Sequence, residues 1–395
     1  MISSFYENKD FALYHGDSFR LLEGLEEKVD MIFADPPYFL SKGFTMRSKG
    51  RVKCFDKGEW DKERPLSEIN DFNMKWLSSC RNILRDNGTI WVSGTYHNIY
   101  SVANCMVELG YKILNIVVWN KPDAPLTLSD YHFNFSAEYI IWARKSKDKR
   151  HYFNNELMTF VNGGKRMSDV WNIPTTGLWE KTCGKHPTQK PLRLLYRIIL
   201  ASTEEGNLIL DPFAGSCTTG IAANLLNRKF IGFDLSEEFL NLGVARRKEI
   251  EDASNATRLL RKMSENPNDV MVMINHARKE LKDKMIETGI CYLRAGDSKG
   301  SLCVTPGFER MQYVLLHTAG DEVKMFRLKS KGQFQIWTKE TLEAHGFHPE
   351  HAPYYVVLLF DNTREIPLGK KINVKERLNT YRARIRPLSD FIGIK

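Results

Sequence analysis

The chain has 395 residues, 42% of them apolar, with 57 Lys+Arg against 48 Asp+Glu and a formal net charge of +9. That length allows two domains or one enlarged one, and the apolar content is ample for a core. Seven scattered cysteines, without a C-x-x-C pair, argue against a disulfide framework and a structural zinc site. No basic-then-apolar pattern opens the chain and no apolar stretch approaches the length of a membrane span, so a cytoplasmic location is expected.

Phe11-Ala12-Leu13-Tyr14-His15 reads as a short strand, residues 18–25 as a helix, and Met31-Ile32-Phe33-Ala34 as a strand that runs into Asp35-Pro36-Pro37-Tyr38. The prolines fix φ near about −65° and remove two N–H donors, which leaves a rigid backbone presenting carbonyl acceptors. Asp35 and a neighbouring carbonyl can each accept one hydrogen from an –NH2 group, with Tyr38 stacked on the ring that carries it. Accepting both hydrogens draws the nitrogen lone pair out of conjugation and makes it a better nucleophile. The plainer alternative is a strand-to-loop turn with Asp35 as a cap.

Residues 39–64 are polar and basic without a clear period, and predict a long loop placed to close over a base or grip a strand. A helix is expected over 68–84, a strand over 89–93, a helix over 98–109 and a strand over 112–119. That alternation predicts an α/β sheet. It fails over 144–185.

Residues 207–220 then read as a buried strand, a tight glycine turn and a helix start, and 229–234 as the next strand, ending in Asp234. A glycine turn at a helix start, followed by an acid on the next strand, is the logic of nucleoside-cofactor binding in doubly wound sheets. A helix over 236–250 follows, then a linker over 253–269 rich in Asn, Ser and charge. Beyond it, 271–287 reads as a helix and 301–304, 325–328 and 354–360 as strands of a smaller α+β domain.

These motifs together resemble the amino-group DNA methyltransferases, which use S-adenosylmethionine. Asp35-Pro36-Pro37-Tyr38 matches the catalytic motif, and Asp211-Pro212-Phe213-Ala214-Gly215-Ser216-Cys217 is similar to the cofactor motif. His186-Pro187-Thr188-Gln189-Lys190-Pro191 matches a third element. The catalytic motif precedes the cofactor motif, the permuted order of the beta class. The resemblance covers about residues 8–250 and is nearest to the adenine-modifying members.

The resemblance implies a Rossmann-like methyltransferase domain over 1–252, with a target-recognition segment at about 144–185, and a basic accessory domain over 270–395 that contacts DNA. Asp35, Pro36, Pro37 and Tyr38 would be catalytic. Asp234 would bind ribose hydroxyls; Asp211, Phe213, Gly215 and Ser216 would surround the methionine moiety; Thr188 and Lys190 would reach its carboxylate. Asp17, in Gly16-Asp17-Ser18, would lie near the adenine. No metal is expected, His186 being structural. Cys217 stands where the motif has glycine, and the expectation is that this position needs only a small side chain.

The expected activity is transfer of a methyl group to the exocyclic N6 of adenine in duplex DNA after base flipping. Cytosine N4 is the alternative, and a catalytically silent DNA-binding regulator a further one. A homodimer and a cognate restriction endonuclease are candidate partners, and no membrane association is expected. Residues 253–395 hold 24 Lys+Arg against 16 Asp+Glu, whereas residues 1–252 hold 33 against 32. The excess positive charge therefore belongs to the C-terminal third, which suggests phosphate contact, an ordinary basic solvated surface being the plainer alternative.

Overall fold

The computed structural model describes residues 3–39, 44–48, 51–55, 62–127, 131–162, 165–177, 180–181, 183–251, 271–294, 296–297, 300–301, 311–318, 322–329, 335–349, 352–368 and 384–387. The chain divides into two compact units, residues 1–154 with 168–245, and residues 155–167 with 246–395.

The elements of the first half, in order, are β1 (Tyr6–Asn8), β2 (Phe11–His15), α1 (Ser18–Glu23), β3 (Val29–Ala34), β4 (Phe44–Ser48), β5 (Arg51–Phe55), α2 (Leu66–Ile83), β6 (Leu84–Gly94), α3 (Ile99–Glu108), β7 (Lys112–Asn120), β8 (Leu126–Thr127) and β9 (Ala137–Arg144). They continue as α4 (Asn155–Val161), β10 (Val170–Asn172), α5 (Leu192–Ser202), β11 (Leu208–Asp211), α6 (Thr218–Leu225), β12 (Lys229–Asp234) and α7 (Glu237–Glu251).

The first unit is built on a nine-stranded sheet, ordered β1-β2-β12-β11-β3-β6-β9-β7-β10. Its centre, β2-β12-β11-β3-β6, is parallel, whereas β9 runs antiparallel to both neighbours. Parallel strands are covered on both faces, which is why β3 and β11 are apolar nearly throughout. Alternate residues separate the two sides. Ile32, Ala34, Ile90, Val92 and Leu210 pack in one core with Trp76 and Leu77 of α2 and Val102 and Met106 of α3. Trp91 faces the other way, where its indole N–H donates to Ser202 of α5 (3.1 Å). The chain is α/β and doubly wound, as the alternating pattern implies.

Three expectations change. Within the polar stretch 39–64, β4 and β5 form an antiparallel hairpin, and β4 also pairs with β8. Phe44 and Met46 in β4, and Val52 and Cys54 in β5, do alternate with polar residues, but each run is only five residues long. In the stretch 144–185, β10 adds a parallel edge strand beside β7. Residues 271–287 are a strand, Met271–His276, followed by a helix, Lys279–Thr288, rather than one helix. The expected linker 253–269 lies outside the described residues.

The second unit holds a separate sheet, ordered Ile290–Arg294, Tyr354–Glu365, Lys324–Leu328, Met311–His317, Met271–His276 and Arg384–Pro387, with Gln335–Thr338 also paired to Tyr354–Glu365. Val272, Ile274, Leu315 and Met325 form a buried cluster on it. Of the expected strand 301–304, only Ser301 is described, paired with Gly296. Among the described residues, no helix is long and apolar enough to cross a membrane.

Candidate active site

Five parallel strands end along one edge of the first sheet, and each delivers a polar group to it. β2 leads into Asp17, β12 ends in Asp234, β11 ends in Asp211, β3 runs into Asp35 and β6 carries Ser93. In open α/β sheets this carboxyl edge is where ligands bind. Residues far apart in sequence are brought together here.

The centre of the edge is a compact polar cluster. The Tyr38 hydroxyl donates to Asp35 Oδ1 (2.7 Å), lies 2.9 Å from the Ser93 hydroxyl and 3.3 Å from Glu138 Oε2. The Lys190 ammonium donates to Asp35 Oδ2 and stands 3.8 Å from Glu138 Oε2. Lys121 closes the far side on Glu138 Oε1 at 2.9 Å. Burial alone would pull the Lys190 ammonium down, but Asp35 and Glu138 outweigh it and hold its pKa above the ordinary lysine value. Burial, reinforced by Asp35 and Glu138, pushes the Tyr38 phenol well up. At neutral pH the cluster is therefore a charged lysine beside a neutral phenol.

The Tyr38 ring is only 6% exposed, and the Lys190 ammonium lies 5.4 Å from its centroid. A ring open for stacking was expected; here a cation faces the ring and its hydroxyl is tied into the cluster. The loop beneath is fixed by Asn98, fully buried, whose side-chain amide donates to the Pro37 carbonyl (3.4 Å) and accepts from Thr95 N–H (3.1 Å).

Beside this cluster lies the glycine turn. Asp234 accepts from Gly215 N–H (2.7 Å) with one oxygen and from Ser236 N–H (2.8 Å) with the other. Asp211 is buried, accepting from Phe213 N–H (3.0 Å) and the Thr219 hydroxyl (2.5 Å), and desolvation pushes its pKa up to about 7. Desolvation raises Asp234 as well. Gly215 has φ +50°, and a Cβ there would lie 3.0 Å from His186 Nε2. His186 packs on Phe239 and accepts from Thr188 N–H (3.3 Å). Ser216 is buried, and Phe213 packs edge-on against Trp76, towards the α2 core. Asp17 caps α1 through Phe19 N–H (2.8 Å), and neighbouring Ser18 donates to the Pro212 carbonyl.

Cys217 corrects one expectation. Its φ of +59° and ψ of +32° are left-handed, so the position does need the conformation that glycine adopts most easily. The side chain is accommodated by space: Cys217 is fully buried, and a Cβ on Gly243 of α7 would fall 2.3 Å from its sulfur. The glycine lost from the turn is matched by one on the helix that covers it.

A parallel sheet carrying Asp35-Pro36-Pro37-Tyr38 and an Asp211–Gly215–Asp234 turn on one edge matches a known family. The family model described as DNA methylase (N6_N4_Mtase) fits residues 29–245. The chain belongs to the N6/N4 DNA methylase family. It is 49% identical over 245 residues to the Type II methyltransferase M2.MboI of Moraxella bovis, covering 62% of this chain and 90% of that protein. Identity to M2.LlaDCHI of Lactococcus lactis subsp. cremoris is 51% over 248 residues, covering 62% and 92%. Among solved structures, an M1.HpyAVI–SAM complex is 25% identical, covering 60% of this chain and 98% of that chain, with a TM-score of 0.45.

This DNA methylase is thus an S-adenosylmethionine-dependent DNA methyltransferase. Its residues fit that cofactor. A strand-end carboxylate, Asp234, keeps acceptor capacity on both oxygens, and the turn at Gly215 has no side chain and no room for one beside His186. Sequence reasoning missed Ser93, Asn98 and Gly243 and gave Glu138 no role. A lone carboxylate opening the apolar strand β9 was the available signal for Glu138.

Proposed function

We propose that this methyltransferase modifies the exocyclic N6 of adenine in duplex DNA, with Asp35 as the residue that holds the amine. The observation that carries this is the position of Asp35. It lies at the end of β3, next to the β11 turn, with both carboxylate oxygens already accepting hydrogens from Tyr38 and Lys190. A group that accepts two donors here can accept an amine's hydrogens in place of one.

The exocyclic amine of a stacked base cannot reach this edge, so the target must be extruded from the duplex. Asp35 and the Pro36 carbonyl then accept the two amine hydrogens, and Pro36 and Pro37 keep that carbonyl fixed. Tyr38 holds Asp35 through its hydroxyl, and its ring becomes available to the base only as Lys190 withdraws from its face. As positive charge develops on nitrogen, Asp35 stabilises it, which is electrostatic preorganisation more than proton abstraction. Positioning supplies much of the rate. The proton leaves to Asp35 or to water.

S-adenosylmethionine supplies the methyl group when bound. Asp234 would hold its ribose hydroxyls, Gly215, Ser216, Asp211 and Phe213 its methionine end, and Thr188 and Lys190 its carboxylate, with Asp17 near the adenine. Lys190 has a competing partner in Asp35, so it serves either the carboxylate of the cofactor or that of the enzyme. The 144–185 segment is assigned target recognition, and the basic residues of 270–395 DNA contact. The Type II names of the relatives support a cognate endonuclease and a cytoplasmic setting.

The test is methyl transfer from labelled S-adenosylmethionine to mixed-sequence duplex DNA, with nucleoside digestion and mass analysis. N6-methyladenine is the expected product. N4-methylcytosine would keep the mechanism and change the base, and no methylated nucleoside from a folded, DNA-bound protein would leave the silent regulator.

A further inference from the structure

One group of aromatic rings on the first unit is exposed and has no part in the site already described. Tyr96 follows the end of β6 by two residues, and Phe135 precedes the start of β9 by two. Their ring centroids lie 5.6 Å apart with planes 20° from parallel, a stacked pair. His97 packs on Tyr96 (3.9 Å) and His132 on Phe135 (4.9 Å). Tyr96 is 47% exposed, Phe135 38%, and Phe133 on the same segment 96%. Loop residues are ordinarily polar, and a clustered set of exposed rings marks a surface that meets something.

Both ends of the stack are tied to the catalytic edge by a few residues of backbone. Ser93, three residues before Tyr96, is hydrogen-bonded to the Tyr38 hydroxyl, and Asn98, two residues after it, holds the Pro37 carbonyl. Glu138, three residues after Phe135, touches both Tyr38 and Lys190. The strands themselves bring these groups level, since Gly94 on β6 pairs with Tyr139 on β9.

The rings offer π faces and imidazole edges and no fixed positive charge, so they suit a base and not a phosphate. An extruded target leaves its neighbours without a stacking partner, and base–aromatic stacking compensates that loss for any base. We propose that the Tyr96–Phe135 stack is a nucleobase platform at the rim of the active site, which takes a base adjacent to the flipped target. Tyr96 and Phe135 are positioning residues, acting through the DNA and not on the reacting atoms. The proposal rests on the DNA-methylation reading above.

The experiment compares wild type with Phe135→Leu and Tyr96→Leu, which keep apolar bulk and lose the π face, and with Tyr96→Phe, which keeps it. The probes are a duplex carrying the sequence that the wild type methylates, and the same duplex with 2-aminopurine beside the target base. Both leucine variants are expected to raise KM for DNA by about tenfold, the scale of one lost stacking contact. KM for S-adenosylmethionine should not move, the 2-aminopurine signal on binding should change, and Tyr96→Phe should behave as wild type. Phe133→Ala, at a nearly fully exposed ring, should weaken DNA binding in the same direction and keeps the test decisive if a leucine variant misfolds.

Unchanged KM for DNA and unchanged fluorescence would overturn the proposal. A change in oligomeric state by light scattering, with DNA parameters intact, would also overturn it and make the rings a contact between protein copies. Binding of mixed-sequence DNA is followed in parallel by anisotropy. A wild type that binds without methylating would sink the methylation reading, while the Phe135 comparison in binding would still decide the platform.

Discussion

Lys190 and Asp35, 155 residues apart in sequence, form a nearly buried ion pair at the end of β3. The ammonium donates to the carboxylate oxygen that a substrate amine needs, and it also faces Glu138 and the Tyr38 ring. An entering amine therefore exchanges with a cation already in place, and the site is held together without substrate.

Removing that cation should be costly. Lys190→Met leaves the nearly buried Asp35 carboxylate without its cation, while Glu138 keeps Lys121, and is expected to lower stability by about 3 kcal/mol in urea unfolding. Lys190→Arg should recover part of it. A loss below about 1 kcal/mol would mean that water reaches the pair freely.

Tyr38→Phe separates the ring from the hydroxyl. If the hydroxyl holds Asp35 in place, stability should fall by about 1 kcal/mol and kcat by about tenfold. Full kcat in the variant would leave Tyr38 with a stacking role alone.

Cys217 and Gly243 should be energetically coupled. Gly243→Ala places a methyl group into the Cys217 sulfur and is expected to cost about 1–3 kcal/mol through overpacking. Cys217→Gly relieves the left-handed strain, worth about 1–2 kcal/mol, against the loss of a small buried side chain, so its net effect should be small. In the double variant most of the Gly243→Ala cost should disappear. Simple additivity in the cycle would show that the two sites are independent.

Asp211 sets a pH dependence. Its folded-state pKa of about 7 lies above the ordinary aspartate value of 3.8, so the folded chain binds this proton more tightly than the unfolded chain. That contribution is complete below about pH 4 and is lost as pH rises towards about 7. The wild type should lose up to about 4 kcal/mol relative to Asp211→Asn across that window. Asp234, raised in the same direction, adds to the slope. A difference that stays constant with pH would contradict the buried, proton-binding state of Asp211.

The parts of this site legible in the sequence were those with local signatures. The apolar strands β3, β11 and β12 and the residues that end them were readable because a parallel strand is a continuous apolar run and its carboxyl end is where polar residues resume. Partnerships across the sheet were not legible. Lys190 with Asp35, Ser93 with Tyr38 and Gly243 with Cys217 depend on strand order and helix packing, which no local pattern encodes. The hairpin of β4 and β5 was hidden for another reason, since the alternation of Phe44 and Met46, and of Val52 and Cys54, spans only five residues in each strand within a basic stretch. Cys217 shows the limit most plainly: its backbone is left-handed, and what makes room for its side chain is a glycine 26 residues away.

The most direct test of the central claim is single-turnover methyl transfer by Asp35→Ala on the duplex that the wild type modifies, with DNA binding measured on the same preparation. Transfer should be abolished while DNA affinity stays within a few-fold of wild type. Retained turnover in Asp35→Ala would contradict the assignment of Asp35 as the group that holds and stabilises the amine.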